Sequence, residues 1–114
     1  MSTLGRHLLA EYHTIEFEKL ADPEWVAEAM QEAARQAGAQ LVHSKFHHFA
    51  PLGVSGVVLI KESHLTIHTW PELGYAAVDV FTCGANVDPW LACRYLERVL
   101  AAQKCSIQEI ERGP

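Results

Sequence analysis

Apolar residues recur along this chain with two different periods, and the switches between them mark its elements. Trp25, Val26, Ala29, Met30, Ala33 and Ala37 keep the three- and four-residue spacing of a helix face. Asp22-Pro23 opens that helix, an N-cap aspartate followed by a proline at the first helical position, and Gly38 closes it. Asp88-Pro89 repeats the device ahead of Leu96, Val99 and Leu100. Elsewhere apolar and polar residues tend to alternate or form short β-rich runs. Strands are expected over 4–12, 40–49, 57–62, 65–70, 75–83 and 104–111, with turns at Pro51-Leu52-Gly53 and Pro71-Glu72-Leu73-Gly74. The order β-α-β-β-β-β-α-β predicts an α+β two-layer sandwich, a mostly antiparallel sheet with two helices on one face.

Sorting the strands by parity separates the sheet's two sides. One side takes Leu65, Ile67, Ala76, Val78 and Val80. The other collects His43, Lys45, His47, Phe49, His64, Thr66, His68, Trp70, Tyr75, Asp79, Phe81 and Cys83. A face rich in histidine and aromatics is what an open sheet side normally shows, the reading the pattern alone favours, and also what a cleft closed by another subunit would show.

Composition narrows the function classes. A chain of 114 residues, 49% apolar, is expected to form a single domain over 1–114 with a modest core. The net charge of −5, without a Lys/Arg cluster, argues against nucleic acid or an anionic membrane as partner. No apolar run is long enough to span a membrane, and no signal-peptide pattern is present. Cys83, Cys93 and Cys105 are odd in number and share no CxxC spacing, which points to a reducing, cytoplasmic setting.

The densest chemistry lies in Glu62-Ser63-His64-Leu65-Thr66-Ile67-His68-Thr69-Trp70-Pro71-Glu72. Ser63 places a hydroxyl beside a peptide bond it could attack, in a connection held between two β-rich runs where strain can be kept. This run resembles the processing site of the bacterial S-adenosylmethionine decarboxylases, small self-cleaving pyruvoyl enzymes. Leu4-Gly5-Arg6-His7-Leu8, Gly53-Val54-Ser55-Gly56-Val57-Val58, Gly74-Tyr75-Ala76-Ala77 and Val80-Phe81-Thr82-Cys83-Gly84 are similar too, in order and spacing, so the resemblance covers nearly the whole chain.

The resemblance implies a proenzyme. The Ser63 hydroxyl attacks the Glu62 carbonyl carbon, an ester forms, and elimination and hydrolysis leave a covalent pyruvoyl group at residue 63. The chain is thereby cut into 1–62 and 63–114. His68 is then the base for the elimination and Ser55 the hydroxyl that steadies the oxyanion. Cys83 is the proton donor to the decarboxylated carbon. Phe49 would stack on the purine of S-adenosylmethionine and Glu72 would bind its ribose. The expected assembly is a face-to-face homodimer with shared sites, and the product the aminopropyl donor for spermidine.

Two rival readings accompany it. The same processing motif serves arginine or ornithine decarboxylation, and Lys61 and Leu73 depart from the expected pattern. A dimeric homologue retained as a regulatory partner would lack catalysis. His43/His47 and His64/His68 each fall on one strand face, yet no Cys/His quartet completes a zinc signature, so no metal is expected.

Overall fold

The computed structural model describes residues 3–49 and 52–114. Six strands form one sheet: β1 (Gly5–His13), β2 (Leu41–His48), β3 (Val54–Ile60), β4 (Ser63–Trp70), β5 (Tyr75–Cys83) and β6 (Lys104–Arg112). Their order is β2-β3-β4-β5-β1-β6, and all five pairings are antiparallel. Helices α1 (Phe17–Ala21), α2 (Pro23–Gln36) and α3 (Pro89–Val99) complete the described elements, with a 3-10 turn at Pro71–Leu73.

Both expected helices start on their Asp-Pro signals. Asp22 Oδ1 accepts from the Glu24 and Trp25 N–H groups at 3.0 and 3.2 Å, and Asp88 Oδ1 accepts from Trp90 N–H at 3.0 Å. Gly38 follows α2 at φ +87°, a conformation that favours glycine.

The expectation of two helices needs correction, because α1 adds a third. Its five residues bury only Leu20 and carry no side-chain N-cap, so no periodicity announces it. Thr69 fixes it from the sheet, donating to the Leu20 carbonyl at 2.9 Å.

Strand β3 begins three residues earlier than expected. Gly56 interrupts the apolar alternation there, and the Phe46 ring occupies the space its side chain would need. Residues 50 and 51, including Pro51 of the anticipated turn, lie outside the described residues. The turn 71–74 exists, closed by Gly74 at φ +61°.

The core lies between the helices and one sheet face. Leu8, Tyr12, Val58, Leu65, Ile67, Val78 and Val80 meet Val26, Met30, Ala33, Cys93 and Leu96, all nearly or fully buried. Each fully buried leucine contributes roughly 1.5–3 kcal/mol, so Leu65→Ala would cost about 2–5 kcal/mol. Tyr12 reaches across the layers and donates to the Cys93 carbonyl at 2.6 Å. Burial pushes the Cys93 thiol up to about 12, so it packs as a small apolar group.

Candidate active site

The uncovered sheet face is chemically unlike the core face. The strand registers place His7, His13, His43, His47, His64 and His68 on it, six of the chain's seven histidines. Trp70 and Leu59 stand on it 40% and 43% exposed, with Phe49 beyond the end of β2 at 49%. Thr66 donates to Asp79 at 3.1 Å, and His7 Nε2 lies 3.5 Å from the other Asp79 oxygen. The Tyr75 hydroxyl donates to Glu11, and that bond, with desolvation, pushes Tyr75 up to about 12.

At one end of β4 the chain makes its tightest reversal. Ile60 pairs with Ser63, leaving only Lys61 and Glu62 as the hairpin loop. Two-residue hairpins normally place positive φ within the loop, at glycine or asparagine. Here neither loop residue takes it. It falls on Ser63, at φ +144°, where a side chain is costly.

Ser63 was expected in a loop; it is instead the first residue of a strand, paired on both sides. The Glu62 carbonyl accepts from the Cys83 N–H at 2.8 Å, and the Glu62 carboxylate accepts from Gln40 N–H at 3.2 Å. Ser63 Oγ lies 3.2 Å from His64 Nδ1. The exposed Cys83 side chain is on the uncovered face at the end of β5, beside a cavity of about 340 Å³ lined by Leu4, Gly5, Phe81 and Arg112.

Toward the other end of β4, His68 faces Ser55 on β3, and His68 Nδ1 is 2.7 Å from Ser55 Oγ. A second cavity, about 290 Å³, is lined by this pair together with Phe49, Trp70 and Glu72. Four of the seven expected site residues therefore converge here, while Glu62, Ser63 and Cys83 converge at the hairpin.

The two groups do not meet within one chain. Ser63 and His68 lie five residue steps apart along the extended strand, about 17 Å at 3.3–3.4 Å per residue. Proton transfer needs contact at about 3 Å. Sequence reasoning gave no role to His64, although its place directly after the serine was visible. Among the described residues, no three His, Cys, Asp or Glu side chains cluster to hold a metal ion, and no helix is long and apolar enough to cross a membrane.

The sequence profile described as S-adenosylmethionine decarboxylase matches residues 6–113. The chain belongs to the S-adenosylmethionine decarboxylase family. It is 59% identical to the S-adenosylmethionine decarboxylase proenzyme of Moorella thermoacetica, over 99% of this chain and 90% of that one. The proenzyme of the same name from Thermosipho melanesiensis is 56% identical, over 99% and 87%. The crystal structure of the adenosylmethionine decarboxylase from Aquifex aeolicus superposes with a TM-score of 0.93 at 37% identity, covering all of this chain and 94% of that one.

Proposed function

We propose that this chain is a self-processing proenzyme that cuts itself between Glu62 and Ser63 and then decarboxylates S-adenosylmethionine. One observation carries the reading: the bond to be cut joins a carbonyl already held by a backbone N–H to a serine at a φ that favours glycine. That N–H already meets the ground-state oxygen, which supports a donor staying near it as charge builds in the adduct. Changing Ser63 to a planar terminal acyl group would release the backbone strain at that residue.

The pyruvoyl group formed from Ser63 would supply an electrophilic carbonyl able to accept electrons as carbon dioxide leaves. Cys83, one residue beyond Ser63's partner Thr82, is within reach of that region to return a proton. Phe49 and Glu72 line the cavity of His68, one offering a ring face to the adenine and the other a carboxylate to ribose hydroxyls.

The 17 Å between the two ends of β4 calls for a second copy. A two-fold axis lying along the uncovered face and crossing β4 near Thr66 and Asp79 would lay the partner subunit's His68 and the partner subunit's Ser55 over the hairpin end of β4. By symmetry the reverse contact forms as well. Exposed Leu59, Trp70 and Phe49 are the apolar surface such an association would cover. The dimer then holds two sites, each built from both chains.

The relatives at 56–59% identity carry the adenosylmethionine name, which favours this substrate over arginine or ornithine. A non-catalytic partner would have no use for the strained serine or for the hydrogen-bonded His68–Ser55 pair. Intact-mass analysis of the purified protein, with phenylhydrazine to tag ketones, tests the proposal. Two fragments, 1–62 and a tagged 63–114, are expected. A single untagged chain after prolonged incubation would overturn it.

A further inference from the structure

We infer that His64 is the base for the first step of self-cleavage. This rests on the processing proposed above and assigns a role within it. His64 Nδ1 is 3.2 Å from Ser63 Oγ, the only imidazole in contact with that hydroxyl among the described residues. His68 sits too far along the same strand to deprotonate its own chain's serine. The ring of His64 is held in place: Phe81 meets it edge-on with centroids 5.7 Å apart, and Leu59 is its neighbour on β3.

With the ring in its Nε2–H tautomer, Nδ1 takes the hydroxyl proton as Oγ bonds to the Glu62 carbonyl carbon. The carbonyl electron pair moves onto oxygen, opposite the Cys83 N–H. Collapse breaks the bond from that carbon to the Ser63 nitrogen, and the proton passes from Nδ1 to the departing amine. An ester and a free amine result. Proton and electrons balance without a co-reactant. The proton transfers are complete within one chain, so they require no contact with the partner subunit's His68.

The ionisable groups around the ring are few. His43 lies beyond Leu59 on β2, His7 and Asp79 lie beside Phe81 on β1 and β5, and Lys61 and Glu62 form the turn.

The test follows chain scission by intact mass after a hydroxylamine quench, which cuts the ester and thus counts every molecule past the first step. His64→Asn keeps a polar group near Ser63 Oγ and cannot relay a proton. Its scission rate should fall about 10²- to 10⁴-fold, with circular dichroism unchanged. Scission within threefold of the parent overturns the inference. If His64→Asn fails to fold, His64→Gln decides under the same quench: a comparable fall supports the base, and scission within threefold of the parent overturns it. A parent chain that never cuts would refute the processing reading itself, a distinct outcome.

Discussion

The two ends of strand β4 differ in what they are built to do. At Ser63 the backbone is distorted, the carbonyl ahead of it is clamped and the connection is two residues long. At His68 the strand is regular, the side chain is exposed and its contacts are a serine hydroxyl and an open cavity. In the proposed reading the first end makes and breaks the backbone bond, and the second lines the cavity that would take the ligand. The extended strand keeps them about 17 Å apart, so in the proposed dimer each chain would lend one end to each of two sites.

The hardest way to break this contrast is to remove the nucleophile. Ser63→Ala should abolish both scission and carbon dioxide release, a loss of more than about 10³-fold. Mass spectrometry and labelled carbon dioxide release would register it. Cleavage persisting in that variant would mean that the wrong bond has been chosen.

Mixing tests the division directly. Ser63→Ala and His68→Ala chains should each be inactive alone. Half the dimers formed by random co-expression would be mixed, each with one intact site, giving about a quarter of the normal activity. Absence of any recovery, with mixed dimers confirmed by native mass spectrometry, would place both ends in one chain's site.

Cys83→Ser separates processing from turnover at the hairpin end. Scission should continue, since the Cys83 contribution there is its backbone N–H, while decarboxylation slows about 10- to 100-fold. An equal loss in both would make the side chain part of processing.

The smallest effect lies away from both ends. Hydrogen bonds from Arg6 at 2.8 and 3.2 Å and from Trp90 at 2.6 Å hold the Glu109 carboxyl below the usual carboxylate range. A depressed folded value means that this stability is present above the unfolded pKa and lost as pH falls through the folded one. Glu109→Gln should therefore lower stability by roughly 1 kcal/mol or less at neutral pH. Melting curves from pH 7 to 3 should converge with those of the parent toward the acid end, with both ends of β4 still working.

Much of this was legible from residue order. The Asp-Pro pairs fixed both long helices, and the parity of 64–70 and 75–83 assigned the faces correctly. The separation of Ser63 from His68 was legible as well, since five positions on one strand already imply the distance. Other features were not. α1 is too short for a period, and β3 starts early because Gly56 accommodates the ring of a neighbouring strand. The contact between Ser63 and His64 accompanies a positive φ at Ser63 that residue order does not announce.

The strand order has one more consequence. A cut after Glu62 would leave β1, β2 and β3 on one fragment and β4, β5 and β6 on the other, yet β1 lies between β5 and β6. The fragments would be interlaced, and neither could leave without tearing the sheet from both sides. Folding of the intact precursor is a unimolecular event, whereas reassembly of the nicked product would require two polypeptides to find each other and thread back together. Once matured, such a protein would persist through slow unfolding and would have no easy route back after denaturation.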